Sequence, residues 1–243
     1  MIPAAKPLVG DEERAAVDRV LRSGMMAQGP EVAAFEEEFS KYVGGRKCVA
    51  VNSGTSGLHM ALVAAGLKAG DEVIVPSFTF AATANSVALT GATPVFVDID
   101  PKTFNIDPAA IEAAITPRTK AIFIGYPSNP TGAVAERETL LEIANIAIEH
   151  DLVVVSDEIY DRLVYGFKHV CFPSFGEEVR KRTILLGGFS KSHAMTGWRI
   201  GFAAAPADIL QGMLRVHQYT IMSAPTTAQD AAIEALKADT YVD

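Results

Sequence analysis

Apolar and polar positions along this chain follow two alternating rhythms. Short runs rich in β-branched residues lie at 47–51, 72–75, 94–98, 120–124, 152–156, 183–186 and 199–203, and their length and composition predict buried strands. Between them apolar residues recur every three or four positions over 56–65, 79–89, 108–114, 136–149, 206–219 and 226–236, the spacing of one helix face. Earlier still, Pro30 opens and Gly44-Gly45 closes a helix whose Val32, Phe35, Phe39 and Val43 form one stripe. Such alternation predicts an α/β fold with a mostly parallel seven-stranded sheet flanked by helices on both faces. Residues 1–29 read as an N-terminal arm with one short helix around 12–21, and residues 30–243 as one large domain.

Composition adds bounds. The 243 residues, 49% hydrophobic and 21% charged, suit a globular chain large enough to bury a sizeable core. Asp and Glu outnumber Lys and Arg by 29 to 21, a formal net charge of −8 without a basic stripe, which argues against a nucleic-acid surface. No apolar stretch approaches the roughly 20 residues of a membrane-spanning helix. The N-terminus has no apolar run with a cleavage site, so the expected location is the cytoplasm. Cys48 and Cys171 lie in no metal-binding spacing and fit reduced thiols, and His59, His150, His169 and His217 likewise show no ligand spacing.

In an open parallel sheet ligands bind beyond the carboxyl ends of the strands, so the loops that follow strands are where chemistry is sought. The first, Asn52-Ser53-Gly54-Thr55-Ser56-Gly57, offers N–H groups and hydroxyls at a helix start, an anion cradle that by itself serves equally as an ordinary turn. It lacks the spacing of a Walker A loop or a dinucleotide-binding loop. A second loop carries Asn129-Pro130-Thr131-Gly132, where Asn129 alone would be a turn former. The third begins at Asp157, a carboxylate at the sheet mouth or a helix cap, with Tyr160 about one turn on. In the fourth, Lys191 follows Gly187-Gly188 and precedes Arg199 by eight residues, flanked by Phe189, Ala194, Met195 and Trp198. His193 beside it reads as a partly buried, hydrogen-bonded histidine.

These three later motifs, Asn129 to Gly132, Asp157-Glu158-Ile159-Tyr160 and Ser190-Lys191 with Met195-Thr196-Gly197-Trp198-Arg199, stand 28, 34 and 8 residues apart from Asn129 through Asp157 and Lys191 to Arg199. In that order they resemble the fold-type-I, pyridoxal-phosphate-dependent class I aminotransferases. The first half, through residues 23–39, 52–62 and 75–85, is instead similar to the nucleotide-sugar aminotransferases, so the chain reads as a hybrid of two branches.

The resemblance implies a cofactor, pyridoxal 5′-phosphate, and a role for each residue. Lys191 would form the Schiff base with it and shuttle a proton, while Asp157 would pair with the pyridine nitrogen and keep the ring an electron sink. Asn129 and Tyr160 would bond the ring oxygen. Arg199 would hold the phosphate with Gly54, Thr55, Ser56 and Ser190, and Phe80 would stack on the ring. It further implies ping-pong transamination between amino acid and keto acid substrates, in a homodimer toward whose partner the arm reaches. Two departures stand out: Gly187-Gly188 replace residues that are often polar in the family, and the chain stops at Asp243, where the family continues into a smaller domain that grips the substrate carboxylate. Other readings are a nucleotide-sugar aminotransferase, a related pyridoxal enzyme, or a cofactor-binding module with little turnover. A serine hydrolase is disfavoured, because no Gly-x-Ser-x-Gly elbow occurs.

Overall fold

The computed structural model describes residues 9–237. Strands β1 (Cys48–Val51), β2 (Glu72–Pro76), β3 (Thr93–Val97), β4 (Thr119–Gly125), β5 (Val153–Asp157), β6 (Thr183–Gly188) and β7 (Gly201–Ala204) form one seven-stranded sheet in the order β1-β7-β6-β5-β4-β2-β3. Neighbours are parallel except where β7 runs against β1 and β6. Six strands therefore bring their carboxyl ends to one edge, and β7 brings its start to the same edge. The expected α/β sheet is present. Its last strand begins later than the apolar run suggested, because Arg199 has a left-handed φ of 59° that extended structure does not accommodate.

Ten helices surround the sheet among the described residues: α1 (Asp11–Ser23), α2 (Pro30–Tyr42), α3 (Gly54–Ala64), α4 (Ala82–Ala88), α5 (Pro108–Ala114), α6 (Arg137–Glu149), α7 (Glu177–Arg180), α8 (Phe189–Ser192), α9 (Ala207–Thr220) and α10 (Thr226–Lys237). Strand alternation sorts the core. Val73, Val75, Ala121 and Phe123 pack with α3 and α9, whereas Ile74, Ile122 and Ile124 pack with α5 and α6. A third cluster sets Cys48, Ala50, Leu185 and Ala204 against Phe35 and Phe39 of α2 and Ala228, Ala231 and Ile233 of α10. Helix α3 lies close on the sheet at Gly57, where an added Cβ would stand 3.0 Å from Leu186 Cδ2.

Helix α1, within the expected arm, packs on the domain's own α10. Ala16 and Val20 are buried there, and Arg19 Nη2 lies 3.2 Å from the buried Asp230 carboxylate. Residues 1–8 of that arm and 238–243 of the expected domain lie outside the described residues. No helix among the described residues is long and apolar enough to cross a membrane.

Phe35 ties α2 to the segment after β6: its fully buried ring lies 5.9 Å from that of Phe39 and 5.7 Å from that of Phe189. Phe35→Ala is expected to remove about 3–5 kcal/mol of stability, read as a lower urea midpoint at unchanged slope.

Candidate active site

At the edge where the strands end, the loops enclose a cavity of about 420 Å³. Gly54, Thr55, Phe80, Asn129, Asp157, Tyr160, Ser190, Lys191 and Arg199 all line it. Ser56 does not. Its N–H donates to Ser53 Oγ at 3.1 Å and its hydroxyl lies 2.8 Å from the same oxygen, so it completes the N-cap of α3. Capping leaves Gly54 and Thr55 exposed at the helix start, with the free N–H groups such a terminus carries. Phe80 lies just before α4, which starts at Ala82 rather than 79; its ring is 58% exposed, so it belongs to the cavity wall and not to the core.

The lysine segment is built by burial on one side only. In α8 and the turn after it Phe189 and Met195 are buried in the third core cluster, and Thr196 Oγ1 donates to the Ser190 carbonyl at 2.9 Å. Lys191 is left exposed to the cavity, with Nζ 5.7 Å from the centre of the Tyr160 ring. The apolar neighbours of Lys191 in sequence thus anchor its backbone rather than desolvate its amine. His193 stays outside the cavity lining; its Nδ1 lies 2.8 Å from Ser192 Oγ, and burial, aided by the charge of Arg162, pushes its pKa down to about 4.

Asp157, the last residue of β5, accepts the Ile159 N–H at 3.3 Å. Burial pushes its pKa up to about 6, opposed by that N–H and reinforced by the charge on Glu158. Tyr160 is also shifted upward, first by burial and then by Asp157, while a hydrogen bond with Asn129 works the other way. A half-buried carboxyl at the cavity wall with the Ile159 N–H as its donor is suited to a cationic partner in the cavity. Asn52 Oδ1 is a further buried polar atom in this lining without a hydrogen-bond partner.

Sequence reasoning singled out Asp157 and passed over its neighbour. Glu158 is 4% exposed and accepts from Tyr126 Oη at 3.2 Å, Ser156 Oγ at 2.9 Å and the Phe172 N–H at 3.0 Å, with His169 Nε2 at 2.5 Å. It fixes the turn after β5 from the side opposite Asp157. The available signal was its place in the strand: residues 156 and 158 share a face that 157 does not. Gly187 was expected to weaken the cavity's grip. An added Cβ there would come 2.5 Å from Phe202 Cζ, so the ring of β7 occupies the room a side chain would need.

The DegT/DnrJ/EryC1/StrS aminotransferase family matches residues 7–158, more than half of the chain. The chain belongs to that family. The chain is also 42% identical over 213 residues to the putative aminotransferase YugH of Bacillus subtilis, covering 84% of this chain and 55% of that protein. It is 42% identical over 171 residues to the aspartate aminotransferase of Geobacillus stearothermophilus, covering 70% of this chain and 44% of that one. The crystal structure of the aromatic aminotransferase of Pyrococcus horikoshii OT3 aligns with 98% of this chain and 66% of its own at a TM-score of 0.87 and 33% identity. The chain spans about half the length of the curated relatives it matches. Its sheet and helices are those of the fold-type-I aminotransferases, and the family match spans 23–39, 52–62 and 75–85 together with Asn129 and Asp157.

Asp157 makes stability depend on pH in a definite direction. Its folded value of about 6 lies above the unfolded value of about 3.9, so the folded chain binds the proton more tightly, and stability is lost as pH rises between them. Without cofactor, Asp157→Asn is expected to match the parent near pH 4 and to exceed it by about 2 kcal/mol at pH 7. Urea unfolding of both proteins at the two pH values measures this, and parallel pH profiles would contradict it.

Proposed function

We propose that this chain is a pyridoxal-phosphate-dependent aminotransferase that moves an amino group from an amino acid to a keto acid. The observation that carries the reading is that Lys191 and the half-buried Asp157 line one cavity whose lining also holds Arg199 and the start of α3. The residues fit the cofactor: an exposed amine for its aldehyde, a half-buried carboxyl lining the cavity for its ring nitrogen, and a guanidinium with helix N–H groups for its phosphate. When bound, the cofactor supplies an aldehyde that condenses with amines and a ring that accepts the electron pair released at the substrate's α-carbon.

The chain's own residues do the rest. Arg199, Ser190, Gly54 and Thr55 would hold the phosphate, and Asp157 would keep a proton on the ring nitrogen. Asn129 and Tyr160 would bond the ring oxygen, and Phe80 would pack against the ring. Lys191 would be the covalent anchor and the base placed to take the substrate's α-proton. Because the amino group is retained in the site between two substrates, the kinetics are ping-pong.

A homodimer goes with this reading, supported by the exposed Phe78, Phe96 and Phe104 around β2 and β3. A cytoplasmic setting is supported by two free thiols, Cys48 and Cys171. The likeness of 23–39, 52–62 and 75–85 to the nucleotide-sugar aminotransferases favours a second reading in which the amino acceptor is a nucleotide sugar.

With pyridoxal phosphate, the parent protein is expected to gain one borohydride-stable cofactor mass at Lys191 and visible absorbance that a panel of amino acids bleaches. Lys191→Ala is expected to lose the covalent adduct while still binding cofactor. Arg199→Ala is expected to weaken cofactor binding by about 10- to 100-fold. A Lys191→Ala protein that still forms the adduct would overturn the assignment, and absorbance that no amino acid alters would leave a cofactor-binding module without transamination.

A further inference from the structure

Asp157 ends β5 and lines the cavity, whereas Glu158, the next residue, lines none of it and turns to the other face, where Ser156 Oγ donates to it at 2.9 Å. The backbone between the two acids is pinned from both sides. The Asp157 carbonyl accepts the Tyr126 N–H at 3.2 Å from just beyond β4, and the Glu158 N–H donates to the Leu186 carbonyl of β6 at 2.9 Å. Neither side chain changes face without breaking one of these bonds.

The donors to Glu158 are divided unevenly. Its Oε1 takes the Ser156 hydroxyl, the Phe172 N–H and the Tyr126 hydroxyl, the last shared with the Val170 carbonyl, while Oε2 takes His169 Nε2 alone at 2.5 Å. Both oxygens accept, as those of the ionised form do. Tyr126 serves both acids, with its N–H on Asp157 and its hydroxyl on Glu158, and the chain runs on from it through Pro127 to Asn129 in the cavity lining.

The charged and titratable groups about Asp157 thus fall on two sides. Tyr160, Lys191 and Arg199 share the cavity lining with it, and Glu158, backed by His169, stands behind it. A negative charge fixed one residue away favours a proton or a cation at Asp157, and it is among the causes that raise the pKa of that carboxyl. We propose that Glu158 is a positioning residue of the transamination site, whose charge, held in place by Tyr126, Ser156, His169 and Phe172, acts through Asp157 to strengthen the hold on a proton at the cofactor's ring nitrogen. This role rests on the pyridoxal-phosphate reading given above and belongs to a residue outside the cavity lining.

The test reads protonation and stability side by side on the full chain. Without cofactor, carbon-13 NMR follows the Asp157 carboxyl, assigned with Asp157→Asn, through its titration. Glu158→Gln, which keeps the shape and removes the charge, is expected to lower the midpoint from about 6 by roughly half a pH unit or more. Glu158→Asp, which keeps the charge, is expected to stay closer to the parent midpoint, although both variants lower the thermal midpoint. With pyridoxal phosphate labelled at the ring nitrogen, nitrogen-15 NMR of Glu158→Gln is expected to show a signal displaced toward that of unprotonated pyridine. An Asp157 midpoint unchanged in Glu158→Gln, or midpoints that fall equally in both variants along with stability, would overturn the proposal. Should Glu158→Gln fail to fold without cofactor, the loaded protein, stabilised by mass action, decides, and an unchanged nitrogen signal overturns it. A parent protein that binds no pyridoxal phosphate would overturn the reading of the cavity, and the carbon-13 titration would then decide the coupling of Glu158 to Asp157 by itself.

Discussion

At the carboxyl edge of the sheet a negative charge is buried almost completely, and the surrounding chain is arranged to hold it. Glu158 draws donors from just beyond β4 (Tyr126), from β5 itself (Ser156), from the following segment (His169) and from the short 3-10 helix Phe172–Phe175. Leaving such a charge without its partners costs on the order of 3–5 kcal/mol, so the four elements are obliged to meet where they do. Strand alternation turns that obligation into function: with Glu158 locked on one side, the carboxyl of Asp157 is committed to the other, facing the first cavity.

Strand polarity does the remaining placement. Because β7 runs backwards, the chain leaves β6 at the carboxyl edge, forms α8 and returns at that same edge. Lys191 and Arg199, eight residues apart, therefore reach one cavity instead of opposite ends of the sheet. The left-handed backbone at Arg199 belongs to this return, a bend held by the strand that follows.

Much of this was legible from the residues. Short β-branched runs located all seven strands and period-3.6 patterns the main helices, and the rule that ligands gather beyond strand ends, joined to the motifs, located the lining. Other features depend on contacts that periodicity cannot express. Helices α7 and α8 are too short to show a period. Whether Ser56 serves the cavity or its own cap is decided by one short bond to Ser53. Glu158 looks like a surface acid in the sequence, since two of its donors, Tyr126 and Phe172, lie 32 and 14 residues away. Arg46 likewise looks solvated until the turn before β1 packs against α7.

A second cavity of about 310 Å³, lined by Val43, Leu185 and Phe202, lies beside α2, and the two cavities touch a common stretch of β6. The backbone of Gly187 lines the first, the ring of Phe202 lines the second, and that ring sits in the space a side chain at 187 would fill. Positions 187 and 202 are thus not free to drift independently. Even one methyl group at the glycine has to be matched by a smaller or displaced ring on the neighbouring strand, and the shape of the far chamber changes with it. Descent with variation can reshape the pocket beside α2 through a residue that never enters it, and the record of such a change would be a pair of substitutions rather than one.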